Sequence, residues 1–354
     1  MSAGPPAGTV DPVVLEAACR AILTAVDVPD EDAALVASSL VTAELRGQPT
    51  HGVMRLPTYV ERIQHGLIDV AVPLIQVSET AATMLFDGNN GLGHVMGARA
   101  RDSCIERAAR TGLALAVVRR SSHFGTAGFF AQRAIDAGVI GFAATNTASL
   151  MAPVGALEAV LGTNPLAVAV PVRDGHPILL DMATSTTSLG AILQARENRR
   201  PIPDSWALGP DGRPTTDADV AARTRLLQPS GGHKGFGLAF VVEVLTSVLG
   251  RAAVGREAGS MYNTWDRPEN LGHVFAALDP SVGSPVEDFF DGMDRLMNQV
   301  LAAARADPAI HVYLPGEPEF ARELERREGG ISLPEARRQE LLTLADGIGI
   351  TVEL

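Results

Sequence analysis

Gly91-Leu92-Gly93-His94-Val95-Met96-Gly97 stands between a short apolar run, Met84-Leu85-Phe86, and a helical stretch from about His94 to Thr111. A glycine pattern joining a strand to a helix is where a dinucleotide-binding fold declares itself, because small residues let backbone approach a pyrophosphate. The spacing here is GxGxxxG instead of GxGxxG. The next apolar run ends in Arg119-Arg120, with no Asp or Glu to take a ribose hydroxyl. The stretch therefore reads as a turn followed by a closely packed helix, and a Rossmann fold is set aside.

Outward from it, short apolar runs alternate with helices. Ala114–Val118, Val139–Thr145, Ala167–Val172 and Ile178–Leu180 are bounded by Gly, Pro or Asn and read as buried strands. A helix is expected over Ala127–Ala137, a strongly apolar one over Phe236–Leu249, a short strand over Ala276–Leu278 and a helix over Glu287–Ala304. Both ends are helical. Val13, Ala17, Ile22 and Val26 make one stripe, and Ala34, Val36, Leu40 and Leu45 another behind the acidic cap Pro29-Asp30-Glu31-Asp32. The tail over Glu319–Glu328 and Pro334–Gly347 is again amphipathic, so the two ends are expected to pack together. Residues 196–230, polar and rich in Pro, Asp and Arg, are expected to form a surface excursion or lid. The division predicted is a flexible leader over 1–12, a mainly helical domain from 13–75 plus 300–354, and an α/β domain over 76–299.

Composition narrows the function. Hydrophobic residues make up 46% and charged ones 20%, which describes a well-packed globular chain. The net charge of −12, without a basic stripe, argues against nucleic acid or an anionic membrane as partner. Any anionic ligand must then be held by a few local cations. Cys19 and Cys104 lie in Ala-rich helical contexts and read as buried small apolar residues. The histidines have no metal-ligand spacing, so no metal site is expected, and no GxSxG elbow is present. The longest apolar run, Phe236–Leu249, is interrupted by Glu243 and Ser247, and the first residues lack signal-peptide character. A cytoplasmic protein is expected.

The chemistry-bearing residues cluster at strand ends and helix starts. In Gln48-Pro49-Thr50-His51-Gly52-Val53-Met54-Arg55, a hydroxyl, an imidazole and a guanidinium fall where one helix ends and another is expected to begin near Val53. His51 and Arg55 are one turn apart and can point the same way, which suits binding and protonating a small anion. Ser121-Ser122-His123-Phe124-Gly125-Thr126, Thr145-Asn146-Thr147 and Asp181-Met182-Ala183-Thr184-Ser185 end strands, and Leu161-Gly162-Thr163-Asn164-Pro165 enters one. Four such clusters imply a shared crevice. Gly231-Gly232-His233-Lys234-Gly235 puts a lysine at the start of the apolar helix, where phosphate or ribose contact is favoured.

Taken together, THGVMRLPTYVERIQHG, DGNNGLG, SSHFGTAGFFAQRA, TNTAS, LGTNPLA, LDMATS, GGHKGFGL and LPGEPEF resemble the malate/L-lactate dehydrogenase family of the non-Rossmann type. That family also includes ureidoglycolate, sulfolactate and diketogulonate dehydrogenases and the piperideine-2-carboxylate (cyclic ketimine) reductases. The resemblance implies a mixed-sheet cofactor domain inserted between helical segments, NAD or NADP as cofactor, and a homodimer with its active site near the subunit interface. It implies His51 as proton donor and acceptor with Thr50 as its hydroxyl partner, Arg55 on a substrate carboxylate and Thr163 at the substrate. In the ureidoglycolate branch the residue matching His123 takes the acid/base role. Cofactor positions fall on His123, Phe124, Gly125, Thr126, Ala127, Thr147, Asp181, Met182, Ala183, Lys234, Gly316 and Glu317. Arg119 and Arg120 are candidates for a 2′-phosphate. The reaction implied is hydride transfer on a 2-hydroxy/2-oxo acid; the alternatives are reduction of a cyclic ketimine and a binding protein that has lost its chemistry. The chain departs from the family pattern at Thr50, where Ser is usual, and at Gly190-Ala191, where Gly-Lys is common. Both bear on the substrate and on the direction of reaction.

Overall fold

A computed structural model describes residues 8–307 and 309–354. Of the leader expected over 1–12, residues 1–7 lie outside the described part. Strand β1 (Thr9–Val10) precedes α1 (Pro12–Thr24), whose N-terminal amides at Val13 and Val14 are capped by Asp11. Then come α2 (Asp30–Leu45), α3 (Leu56–Gln64), β2 (Ile75–Glu79), β3 (Thr83–Asp87), α4 (Gly93–Thr111), β4 (Leu113–Ser121), α5 (Ala127–Gln132), β5 (Ile140–Thr145), β6 (Leu166–Val170) and β7 (Ile178–Met182). The second half holds α6 (Leu189–Glu197), β8 (Ala207–Leu208), β9 (Pro214–Thr215), α7 (Ala218–Thr224), α8 (His233–Glu243) and β10 (Leu271–Leu278). It closes with α9 (Val286–Leu301), α10 (Glu317–Gly329), β11 (Ile331–Ser332) and α11 (Glu335–Gly347).

The main sheet has the order β2-β3-β4-β10-β5-β6-β7. Only β3 and β4 run parallel, joined through α4; every other pair is antiparallel. A mixed sheet of this order is not the parallel sheet of a Rossmann fold, as the glycine spacing predicted. The glycines of the GxGxxxG run serve packing. A Cβ on Gly93 would fall 2.1 Å from the Ser122 carbonyl oxygen, and one on Gly97 2.9 Å from the Phe130 ring. The helix start is thus pressed onto the end of β4, where His123 emerges.

One continuous apolar cluster includes Leu15, Ile22 and Leu40 of the N-terminal helices, Phe130 and Phe275 around the sheet, and Phe320 and Leu341 of the tail. The chain ends meet, with β1 pairing antiparallel to β11. Cys19 and Cys104 are buried and unbridged.

Several local expectations change in the structure. The polar edge strand β2 was missed, because all of its residues are exposed and it lacks a buried face. The excursion over 196–230 carries the hairpin β8–β9 and α7 on a small core of its own, including Ile192, Ile202 and Leu227. The helix expected to begin near Val53 starts at Leu56; before it lie two 3-10 turns, Pro49–His51 and Val53–Arg55. The cause is Glu44 of α2, whose carboxylate accepts the Val53 N–H at 3.0 Å beneath Gly52, where a Cβ would lie 2.1 Å from its oxygen. The apolar helix at 233 passes into a π-helical turn over Val244–Val248 and leaves Leu238, Phe240, Val241, Val248 and Leu249 exposed.

Candidate active site

The two 3-10 turns carry Thr50, His51 and Arg55 against the loop between β4 and α5. Thr50 Oγ1 lies 3.1 Å from His51 Nδ1, and the backbone carbonyl of Thr50 accepts from Arg55 Nε at 2.6 Å. The His51 and His123 rings stack with centroids 5.9 Å apart. The α4 start and Phe124, which stacks on His273 at 4.6 Å, hold the His123 loop. Two imidazoles and a guanidinium therefore share one corner.

Arg55 is buried, with its Nη1 3.6 Å from Met261 Sδ and its guanidinium 5.2 Å from the Tyr262 ring centre. Among the described residues no carboxylate forms an ion pair with it. The Glu269 carboxyl acts on it only from beyond ion-pair distance, and a desolvated cation that no carboxylate touches is a site for an anion. Desolvation, the Arg55 charge and His94 push the His51 ring down to about 3, and desolvation, the Arg55 charge and the neighbouring His51, His94 and His273 hold His123 well below its ordinary range. A carboxylate paired with Arg55 cancels one of these causes and raises His51 again.

Sequence reasoning overlooked Tyr59 and Glu269. Tyr59 is one helical turn beyond Arg55, a spacing that pointed to it, and its hydroxyl lies 2.7 Å from His123 Nδ1. Glu269 had no local signal. Its buried carboxylate accepts the His123 N–H at 3.1 Å and faces Arg62 at 3.9 Å; burial pushes it up to about 7.

A second group lies at the ends of β5, β6 and β7. Thr163 N–H donates to Thr147 Oγ1 at 3.0 Å, and Thr184 Oγ1 donates to the Thr163 carbonyl at 2.8 Å. The Ser230 N–H donates to the Thr184 carbonyl, which brings the Gly231–Lys234 helix start to the same place. Lys234 is exposed there, after Gly231 and Gly232 with φ of 62° and 66°. A third group is the cleft shared by Gln48, Asp181 and Gly316. Gly128 leaves no room for a side chain beside Asp181, since a Cβ would fall 2.6 Å from its carboxylate; burial raises that carboxyl to about 6. Met182 and Ala183 link this cleft to Thr184. Glu317 accepts the Leu314 N–H at 2.9 Å, which closes its own loop. Arg119 and Arg120 both pair with Asp87, at 3.2 and 3.3 Å. Among the described residues no group of three or more His, Cys, Asp and Glu side chains is arranged to hold a metal ion.

A family model described as malate/L-lactate dehydrogenase matches residues 10–342. The chain belongs to the malate/L-lactate dehydrogenase family. The malate dehydrogenase of Pyrococcus horikoshii is 34% identical over 336 residues, covering 93% of this chain and 92% of that protein. The L-sulfolactate dehydrogenase of Methanothermobacter thermautotrophicus is 35% identical over 338 residues, covering 95% and 96%. The solved sulfolactate dehydrogenase of Methanocaldococcus jannaschii superposes with a TM-score of 0.90 at 32% identity, covering 97% of this chain and 98% of that one. As a member of the malate/L-lactate dehydrogenase family the chain is an NAD(P)-dependent oxidoreductase of the hydroxy-acid type. No helix among the described residues is long and apolar enough to cross a membrane.

Proposed function

We propose that this enzyme interconverts a small 2-hydroxy acid of the malate, lactate or sulfolactate type with its 2-oxo acid. The observation that carries the reading is Arg55, a buried guanidinium that no carboxylate among the described residues pairs with directly, beside His51 and His123. Arg55 takes the substrate carboxylate and fixes which face of C2 meets the cofactor. His51, oriented by Thr50, gives its proton to the carbonyl oxygen in reduction and takes the hydroxyl proton in oxidation.

The cofactor, when bound, supplies the hydride from its nicotinamide ring. The chain's residues fit such a group. Lys234 offers a charge at a helix start whose two preceding glycines face open space; Thr147 follows the end of β5, Asp181, Met182 and Ala183 close β7 with Asp181 against Gly128 of α5, and Gly316 packs on Leu179. Glu317 and Thr163 complete the proposed set, Thr163 on the substrate side.

The same reading makes the enzyme a cytoplasmic homodimer with its site near the interface. The apolar exposed face of α8, which begins at Lys234, supports the dimer, and two buried unbridged cysteines support a reducing compartment. A screen of oxaloacetate, pyruvate, 3-sulfopyruvate and piperideine-2-carboxylate with NADH and NADPH tests it. Turnover of a 2-oxo acid, lost in Arg55→Lys, is expected. Turnover of the ketimine alone would overturn the reading.

A further inference from the structure

We infer that Tyr59 is a positioning residue that, together with the Gly125 backbone N–H, fixes the tautomer of His123, so that His123 serves the reaction only as a neutral hydrogen-bond donor and the proton is carried by His51. The inference rests on the site reading above and decides between two histidines that sequence leaves equivalent.

Two groups converge on His123 Nδ1: the Tyr59 hydroxyl at 2.7 Å and the Gly125 backbone N–H at 3.4 Å. A backbone N–H can only donate, so Nδ1 must present its lone pair. The Tyr59 hydroxyl, which can play either part, is thereby made a donor as well. The neutral ring then carries its hydrogen on Nε2, which has no hydrogen-bond partner among the described residues. A proton on Nδ1 would face the Gly125 N–H, an obligate donor, which disfavours both the other tautomer and the imidazolium.

The surroundings hold this geometry. Tyr59 is fully buried, with the edge of His94 5.4 Å away between ring centres. Gly125 has φ of 81°, and a Cβ there would fall 2.7 Å from His94 Nε2, so the N–H that points at Nδ1 depends on glycine. The backbone N–H of His123 itself is tied to Glu269. The ring has little freedom to flip.

A base must have a free lone pair facing the substrate, and His123 has none there. Its Nε2–H donates instead to the oxygen on C2, where negative charge grows as hydride arrives. Donation from Tyr59 into Nδ1 withdraws density from the ring and strengthens that donor. The proton balance closes on His51 alone: in oxidation the hydroxyl proton passes to its ring and the hydride to the cofactor.

The test is a long-range nitrogen–proton correlation spectrum of the full-length enzyme labelled with 15N-histidine, with His123 identified by its loss in His123→Gln. The expected spectrum shows an unprotonated Nδ1 and a protonated Nε2 from about pH 6 to about pH 9. In Tyr59→Phe the Nδ1 resonance moves toward the value of an unbonded ring nitrogen. There kcat falls about tenfold while KM stays within about twofold. His123→Gln keeps a donor and retains more activity than His51→Gln, which loses about a thousandfold. A wild-type His123 protonated at Nδ1, or equal losses in the two glutamine variants, overturns the inference. The tautomer is read without substrate, so a failed substrate assignment leaves that result standing. If Tyr59→Phe does not fold, the wild-type spectrum and the two glutamine variants still decide.

Discussion

The γ-methyl of Thr50 occupies the space that Gly190 leaves empty: a Cβ on Gly190 would fall 2.8 Å from Thr50 Cγ2 and 3.2 Å from its Cβ. Both residues are departures or neighbours of departures from the family pattern, and they touch. Gly190 belongs to the first turn of α6, whose amide at Ala191 is capped by Ser188 at 3.2 Å. The position of Thr50, and through it the His51 ring, is therefore set partly by the helix that leads into the 196–230 excursion.

Gly190→Ala should displace Thr50 and lower kcat/KM by roughly ten- to a hundredfold, the scale of a misplaced catalytic group. Thr50→Ser removes the clashing methyl and keeps the hydroxyl. The double variant should recover most of the loss. Additive losses in a double-mutant cycle would show that the contact does not couple the two sites.

His51 should titrate far below neutrality in the free enzyme, near 3, because the first cause of its shift is desolvation and the second is the Arg55 charge. A bound oxamate pairs with Arg55 and removes the second cause, so the ring should then titrate higher by about one unit or more. Histidine NMR titration with and without oxamate reads this directly. No movement on binding would separate Arg55 from the anion.

Glu269 gives a stability signature. Its folded value of about 7 lies above its ordinary 4.5, so the native state binds the extra proton between these values. Its contribution is fully present below pH 4.5 and is lost as pH rises through 7. Glu269→Gln lacks this loss and still accepts the His123 N–H. Its stability relative to wild type should improve from pH 5 to pH 8 by up to about 3 kcal/mol, at roughly 1.4 kcal/mol per unit. Denaturant unfolding at both values measures it; a flat difference would refute the shift.

The α8 face predicts the assembly. Val241 is 52% exposed and Phe240 55%, so a charge there costs the monomer little. Val241→Glu should leave the far-UV spectrum unchanged and shift light-scattering mass from dimer to monomer. A wild type that is already monomeric would remove the interface.

The sequence carried the fold a long way, because its signals are local. Apolar runs between glycines and prolines located β4 to β7 within a few residues, and the missing GxGxxG pattern correctly pointed away from a parallel sheet. It also marked Thr50, His51, Arg55 and His123 from their order in short motifs. It could not see Glu44 moulding the turn at Gly52, or β10 inserting between β4 and β5, since such contacts join residues far apart in the chain. Nor did it distinguish the two histidines. Each ring nitrogen takes its role from what faces it, and Tyr59 and Glu269 reach His123 only through tertiary packing, while Gly125 reaches it from within the same loop. Residue type fixed which chemistry was present; the low-dielectric interior, by desolvating Arg55 and holding both imidazoles neutral, decided how each group is set to act.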